Sequence, residues 1–297
     1  ALVIQLAEKH SLYDGQIQLY FGDLAESTFG LKESIYEQLR QDITRGLHLH
    51  WAPLDCTDKD ELFQQHVLAS ENAVFFASQA PKLVSYIHLG SILAGGIRAD
   101  SFGETDKTHQ RGFGNAWELS QYEAEQSVRS MEGKLPLTIV RLATVLSDDF
   151  LQRAARTARW AGKFPGCPGM GDERPMHIIL PDHAGEVLAQ LSTAADVGGK
   201  TFHLVDSEPA SGQDVFACIA QSSGHAKPKQ SWALKTWALW SRMPLIGRGI
   251  ALSAQEQSLF YNGVRSTRPS LAQQNSAALS GSGLDRLQRK LQAKKTL

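Results

Sequence analysis

Four polar residues of the sequence lie at or just after the ends of predicted strands: Asp23, His50, Ser91 and Arg141. In an open parallel sheet, ligands bind in the crevice outside the carboxyl ends of the strands, so these residues are expected to converge on one crevice. A serine hydroxyl in that position can orient a carbonyl group, and an arginine can contact a substrate or cofactor. The spacing therefore predicts a ligand site at one edge of a sheet.

The elements that would position these residues alternate between strands and helices. Strand patterns occur at 16–21, 47–51, 84–89, 137–142 and 201–205. Helical patterns occur at 35–43, 63–80, 117–131, 150–162, 182–192 and 213–221. Such alternation implies right-handed crossovers and an α/β fold, a doubly wound parallel sheet covered by helices on both faces. The residues from 1 to about 145 are predicted to form this body.

The composition excludes some classes of protein and favours others. The 30 basic residues balance 31 acidic ones, so no basic face for nucleic acid is expected. The cysteines Cys56, Cys167 and Cys218 lie far apart, which argues against a zinc site and favours a reducing compartment. No apolar run reaches the roughly 18 residues of a membrane span, and no leader peptide is evident. We therefore expect no metal and a cytoplasmic location.

Five local patterns, in a fixed order, resemble the extended short-chain dehydrogenases/reductases. Within that superfamily they are most similar to the fatty acyl-CoA reductase and thioester reductase branch. The resemblance covers about residues 15 to 205. The patterns are Gly22-Asp-Leu24 after a strand, His50-Trp-Ala-Pro53, the strand of 86–96, the run Leu135-Pro-Leu-Thr-Ile-Val-Arg141 and the segment of 171–184.

The resemblance implies an NAD(P)-binding Rossmann-like domain at 1–145 and a small substrate-binding and helical region at 146–297. The resemblance also implies NAD or NADP as cofactor and, as substrate, a small molecule that is an apolar acyl thioester or another carbonyl compound. Trp232, Trp237 and Trp240 would pack the core, line an acyl-chain channel or form an oligomer surface such as that of a homodimer. Residues expected at the cofactor are Gly22, Asp23, Leu24, His50, Ala52 and Arg141.

One departure from the family concerns the glycine-rich turn that holds the cofactor pyrophosphate on backbone N–H groups. The glycines at 112 and 114, or at 166, 169 and 171, follow no predicted strand and begin no helix. The family places that turn some tens of residues before the Gly-Asp-Leu motif, and about twenty residues precede the motif here. The expectation is that the N-terminal βαβ unit is missing from this chain, either outside the given sequence or truly lost.

A second departure concerns the catalytic Tyr-x-x-x-Lys motif. Alignment of residues 115–125 puts Trp117 at the tyrosine position and Gln121 at the lysine position, with Ser91 retained as the active-site hydroxyl. An indole N–H donates a hydrogen bond but transfers no proton at neutral pH, and an amide carries no charge. His66 stands where the family has an asparagine, and it is the best-placed candidate acid. Hydride transfer would then be possible but slow.

Simpler structural roles stay open for most of these residues. Ser91 would cap a turn, Asp23 would cap the turn that follows it, and Arg141 would form a structural ion pair. His50 and His88 would be hydrogen-bonded core histidines. The chain is therefore either a reductase of a carbonyl group, a catalytically silent relative that binds a nucleotide or a partner protein, or an incomplete product with an open sheet edge that self-associates.

Overall fold

The computed structural model describes most of the chain before residue 225 and a short stretch near its end. The described residues are 16–49, 51, 52, 56, 58–98, 101–148, 150–152, 155, 175–205, 209–222, 224, 285, 287–289, 291 and 292. In these residues no helix is long and apolar enough to cross a membrane.

A four-stranded parallel sheet forms the centre of the molecule. Its strands are β1 (Arg45–His48), β2 (Ser85–Ser91), β3 (Leu137–Leu142) and β7 (Thr201–Leu204). They lie in the order β1–β2–β3–β7 with every neighbouring pair parallel, so β1 and β7 are the edge strands of the described sheet. All residues of β2 and β3 are buried, which is typical of parallel strands covered on both faces. The predicted Rossmann-like α/β fold is confirmed.

Helices connect the strands and cover both faces of the sheet. They are α1 (Glu33–Asp42), α2 (Lys59–Leu62), α3 (Ala69–Ser78), α4 (Ala116–Arg129), α5 (Pro181–Thr193) and α6 (Gly212–Ser222). A π-helical segment, Phe63–Leu68, joins α2 to α3 without a break. Side chains alternate along β2, so Tyr86 packs against α3 and α4, whereas Ile87 and Leu89 pack against α5.

Polar side chains fix where the helices begin. Asp58 Oδ1 accepts hydrogen bonds from the N–H groups of Asp60 and Glu61, and Asn115 Oδ1 accepts one from Glu118 N–H, so both residues are N-caps. Helix α5 instead follows Leu180, makes no side-chain cap and has Pro181 in its first turn. The pattern of 182–192 predicts Asp182 as the cap of this helix, and that prediction is wrong because Asp182 already lies inside the helix.

The segment 16–21, predicted as a strand from its alternating pattern, is not a strand in the structure. Its side chains are exposed, Phe21 by 89%. No backbone hydrogen bond joins residues 17–21 to the rest of the described chain. An alternating pattern forms a strand only where a neighbouring strand completes the hydrogen-bond ladder, and none lies beside this segment among the described residues.

The remaining strands are short. Strands β4 (Thr144–Val145) and β6 (Ile178–Ile179) pair in parallel, and β5 (Pro175–Met176) pairs antiparallel with β8 (Ala210–Ser211). The central sheet continues beyond residue 145, because β7 pairs with β3 and α5 packs on β2. Leu146, Phe150, Val215, Ile219 and Leu287 belong to a separate apolar cluster that joins the two ends of the C-terminal region.

Candidate functional site

Trp117, at the predicted tyrosine position, lies at the centre of the candidate site and is completely buried. Its ring makes edge contacts with Trp51, at 5.8 Å between centroids, and with His66, at 5.3 Å. Ala52, Leu62 and Leu93 complete the apolar surroundings. The indole Nε1 has no hydrogen-bond partner in the described part of the chain. A buried N–H without an acceptor is costly, so this donor is a place where a ligand acceptor would be stabilising.

His66 connects the Trp51–Ala52 segment to helix α4. Its Nε2 accepts a hydrogen bond from Ala52 N–H at 2.9 Å, and its Nδ1 lies 2.7 Å from Ser120 Oγ. Ser120 Oγ in turn donates to the Trp117 carbonyl at 3.0 Å. Because Nε2 is the acceptor, a neutral ring carries its proton on Nδ1 and donates it to Ser120. Both ring nitrogens are thus engaged within the protein, which leaves the predicted acid role of His66 without a proton directed at a ligand.

The π-helical segment is what brings His66 to this position. A π-helical stretch widens the turn and rotates the residues that follow it, and such segments are frequent at functional sites. His66 and Val67 are the buried residues of this segment. Periodicity at 3.6 residues per turn could not have indicated the segment, because its sequence is ordinary for an α-helix.

Ser91 is the last residue of β2 and is 2% exposed. Its Oγ accepts a hydrogen bond from Leu93 N–H at 3.2 Å and caps the 3₁₀ turn Ile92–Gly95. The capping interpretation is therefore confirmed. The hydroxyl proton is not used by that bond, so Ser91 keeps a donor as well as its structural role. Helix α4 packs against this 3₁₀ turn, which places Ser91 beside the Trp117 surroundings.

The Gly22-Asp23-Leu24 motif forms a compact turn on α3. Asp23 N–H donates to the Phe29 carbonyl at 2.9 Å, and Asp23 Oδ1 accepts from Ala25 N–H at 2.9 Å, which confirms the capping interpretation of Asp23. Asn72 Nδ2 donates to the Leu24 and Ala25 carbonyls, each at 3.0 Å. A Cβ on Gly22 would lie 1.9 Å from the Phe29 carbonyl oxygen, so the turn requires glycine here.

Arg141 forms a buried ion pair rather than facing an open crevice. Its Nε and Nη2 donate to the two carboxylate oxygens of Glu125 at 2.8 and 2.7 Å, and it is 1% exposed. Arg129 binds the same carboxylate at 2.9 Å. The two guanidinium groups hold the pKa of Glu125 below its usual value, against the effect of burial. This geometry favours the structural ion pair over the predicted cofactor contact of Arg141.

The same guanidinium fixes the loop between β2 and α4. Arg141 donates to the Gly103 carbonyl at 3.1 Å and to the Asp106 carbonyl, and it stacks on the Phe102 ring at 4.2 Å. Glu104 accepts from His203 N–H at 2.6 Å, which attaches the loop to β7. Sequence reasoning missed Glu125 and this loop. The signal for Glu125 was available, because an arginine inside a buried strand needs a carboxylate partner.

Two histidines of neighbouring strands form a buried pair on the α3–α4 face of the sheet. Nδ1 of His48 and Nδ1 of His88 are 3.2 Å apart, and their rings are stacked at 5.4 Å. Burial lowers the pKa of His88 to about 3, with Arg129 and His66 acting in the same direction. Burial and the Arg141 charge likewise lower the pKa of His203 to about 3. The interpretation of His88 as a hydrogen-bonded core histidine is confirmed.

His88 and His203 should make folding stability depend on pH between about 6.5, the usual pKa of histidine, and about 3, their pKa in the folded protein. Because the folded protein keeps them neutral while the unfolded chain binds protons below about pH 6.5, the free energy of unfolding falls as pH decreases. The slope is about 1.4 kcal/mol per pH unit for each histidine. We expect His88→Asn to halve the contribution of these two histidines to the slope in urea titrations at a series of pH values. An unchanged slope in His88→Asn would contradict a neutral folded His88.

The other predicted residues are placed as follows. Ala52 is 3% exposed and binds His66 through its N–H, and Gln121 is 3% exposed and one helical turn after Trp117. His50 lies outside the described residues. The described chain contains no group of three His, Cys, Asp or Glu side chains able to hold a metal ion. In the described part, no glycine-rich run with the spacing of that turn joins a strand directly to an α-helix.

Comparison with known proteins supports the fold and the family. Residues 3–174 match the model of an NAD-binding family with the description male sterility protein. No curated protein matches the sequence.

The terminal R domain from the myxalamid PKS-NRPS biosynthetic pathway has a TM-score of 0.74 at 15% identity, over 98% of this chain and 79% of that chain. A thiolation-reductase di-domain from an archaeal non-ribosomal peptide synthetase has a TM-score of 0.70 at 16% identity, over 94% of this chain and 62% of that chain. The dTDP-4-dehydrorhamnose reductase of Bacillus anthracis str. Ames, in complex with NADP, has a TM-score of 0.66 at 13% identity, over 97% and 94% of the two chains. At these identities the likeness shows the fold alone.

Proposed function

Because this chain belongs to the NAD-binding family described as male sterility protein, we propose that it binds NAD(P)(H) and reduces the carbonyl group of a small apolar compound or acyl thioester. The observation that carries the proposal is the buried Trp117 Nε1, for which no described residue supplies an acceptor, on the helix that packs against the 3₁₀ turn following Ser91. The proposal includes an acyl thioester as a substrate class because two proteins of the same fold are the terminal R domain of a PKS-NRPS pathway and a thiolation-reductase di-domain of a non-ribosomal peptide synthetase.

The residues fit the two ends of a dinucleotide better than its centre. The turn Gly22–Leu24 would hold the adenine end, since Asn72 fixes its carbonyl groups and Gly22 permits its close approach to Phe29. Ser91 and Trp117 would lie at the nicotinamide end. The pyrophosphate would need N–H donors outside the described residues. The bound cofactor would supply the hydride, and this chain would bind and orient the carbonyl oxygen through neutral donors.

Transfer of a proton to the carbonyl oxygen would limit the rate at this site. Trp117 donates a hydrogen bond without releasing a proton, and both nitrogens of His66 bind protein groups. General acid catalysis contributes typically about 10² to 10⁴-fold, so turnover with a proton from water would be slower by that order. The buried neutral donors would still polarise the carbonyl group of a bound substrate.

A titration with NADPH and NADH, followed by the fluorescence of the reduced nicotinamide, tests cofactor binding. We expect saturation at a Kd on the order of 1 μM, which corresponds to about 8 kcal/mol. Gly22→Ala should weaken binding at least about tenfold, because its Cβ would meet the Phe29 carbonyl at 1.9 Å and open the turn. The matched control is Gly185→Ala, at a helix position with nothing within 4 Å of the added Cβ. Absence of saturable binding by the unmodified chain would refute the proposal.

The second candidate is a catalytically silent nucleotide-binding protein that acts as a sensor or interaction module. It is favoured by the complete burial of Trp117, which fills the position of the family's acid with a packed apolar ring. This candidate predicts the same cofactor titration but no oxidation of NADPH with any carbonyl substrate. The two candidates therefore differ in turnover and not in binding.

A further inference from the structure

The guanidinium group of Arg141 is fully engaged within the protein. The residue is 1% exposed and lies near the carboxyl end of β3. Its five N–H groups face five acceptor atoms, namely both Glu125 carboxylate oxygens, the Gly103 and Asp106 carbonyl oxygens, and Nε2 of His203. Because a guanidinium has five donors and accepts no hydrogen bond, Nε2 is the acceptor and no donor is left over. One side chain therefore connects β3 to α4, to β7 and to the loop between β2 and α4.

The flat face of this guanidinium connects β3 to the turn that follows Ser91. Its Cζ lies 4.2 Å from the centroid of the Phe102 ring, and Phe102 is 2% exposed. The same ring packs so closely on Gly95 that a Cβ added there would lie 2.8 Å from its Cδ1. Gly95 ends the 3₁₀ turn that the Ser91 Oγ caps. The position of that turn therefore depends on Phe102 and, through it, on Arg141.

The donors on the edge of the guanidinium connect β3 to the helix that carries Trp117. Two parallel hydrogen bonds to a carboxylate fix its direction as well as its distance, and Nε and Nη2 of Arg141 bind Glu125 in this way. Glu125 and Trp117 are both buried residues of α4, about 12 Å apart along the helix axis. Since the helix between them is continuous, a shift or rotation of α4 at Glu125 also displaces Trp117.

From these two connections, we propose that Arg141 is a positioning residue, which sets the Ser91 hydroxyl and the Trp117 indole N–H relative to each other. The inference rests on the proposed function, in which these two donors bind the carbonyl oxygen of the substrate. Arg141 acts through Phe102 and Glu125, because its own donors are all used by protein acceptors. A displacement of about 1 Å at a reacting group can lower the rate about 10²-fold, so this arrangement has a consequence for turnover as well as for stability.

Arg141→Lys tests this role, because it keeps a positive charge opposite Glu125 but offers three donors to the five acceptors. We expect kcat for carbonyl reduction to fall about 10²-fold, with KM for NADPH unchanged. A residue that only stabilises the fold would leave kcat of the folded protein unchanged. The matched control is Arg45→Lys, at an exposed arginine of β1 whose Nε donates to the Ser192 carbonyl at 3.0 Å, and it should leave both constants unchanged.

A second measurement needs no turnover. In the chain labelled with ¹⁵N-tryptophan, the indole N–H signal of Trp117 is identified by its absence in Trp117→Phe. We expect Arg141→Lys to displace this signal, because the indole then lies in a changed position relative to its aromatic neighbours Trp51 and His66. Glu125→Asp keeps the carboxylate but shortens its side chain, so it should displace the signal as well, and it takes the place of the lysine variant if that variant does not fold.

The two measurements separate the positioning role from the proposed function. Lack of saturable NADPH binding by the unmodified chain would refute the proposed function, and the indole signal would still report on the position of Trp117. A Trp117 signal that stays in place in both folded variants, or that moves equally in Arg45→Lys, would overturn the positioning role. An unchanged kcat in folded Arg141→Lys, when the unmodified chain turns over, would overturn it too.

Discussion

Replacing Trp117 by tyrosine together with Gln121 by lysine should raise the rate of NADPH-dependent carbonyl reduction by about 10² to 10⁴-fold. The double substitution supplies the two groups that the predicted alignment places at these positions in the family, a phenol that transfers a proton and an ammonium that lowers its pKa. The measurement is kcat and KM for NADPH oxidation with a panel of aldehydes and acyl thioesters.

The local structure is suitable for this exchange. Positions 117 and 121 are four residues apart on α4 and therefore on the same face of the helix. Helix α4 is capped by Asn115 and held by the His66–Ser120 hydrogen bond, so its register does not depend on the Trp117 ring alone. A tyrosine ring is smaller than an indole, and the space it leaves lies beside Trp51 and His66.

Trp117→Phe with Gln121→Lys is the matched control, because it makes nearly the same change in volume and charge without the hydroxyl. It should bind NADPH like the double variant and show no gain in kcat. The effect should also appear in kcat more than in KM, since a general acid acts in the transition state. A folded, NADPH-binding double variant without gain in rate would contradict the placement of the family's catalytic pair at positions 117 and 121.

Arg141→Met should lower the free energy of unfolding by about 3 to 5 kcal/mol. The substitution leaves the Glu125 carboxylate buried with one guanidinium, from Arg129, in place of two. It also removes the donors that hold the Gly103 and Asp106 carbonyls, so the loop before α4 loses its attachment to β3. Urea unfolding of the purified chain measures the loss.

Glu125→Gln combined with Arg141→Met should cost clearly less than the two single changes added together, because the double variant leaves no uncompensated buried charge from this pair. The partly exposed pair of Arg40 and Glu37 on α1 is the control, and Arg40→Met should cost under about 1 kcal/mol. Additive losses in the buried cycle, or a loss at Arg141 no larger than at Arg40, would contradict a structural role for the Arg141–Glu125 pair.

Several parts of the fold could be predicted because their signals are local. The strand of 137–142 has the predicted bounds, and the strands near 85 and 201 and the helices of 33–42, 116–129 and 181–193 begin and end within two residues of the predicted positions. Apolar periodicity is set by neighbours in sequence, which is why these elements could be identified. The motif order likewise indicated the family, and the matching family model supports it.

Contacts between residues that are distant in the sequence could not be predicted from local patterns. The pattern of 16–21 predicts a strand, yet strand formation depends on a neighbour that the described structure does not place there. Arg141 lies near a strand end as predicted, but its side chain lies on the face covered by α4, where Glu125 binds it. Successive side chains of a strand point to opposite faces of the sheet, and the sequence alone does not say which face packs against which helix.

The sequence by itself determined the α/β class and the family, and it predicts that Trp117 and Gln121 stand at the positions of the family's tyrosine and lysine, since these inferences follow from local patterns and residue identity. The tertiary structure decided that Trp117 is fully buried, that His66 carries its proton toward Ser120, and that Ser91 and Asp23 cap turns. These properties arise from groups far apart in the chain that meet only after the strands have paired, because hydrogen bonds and burial depend on spatial neighbours.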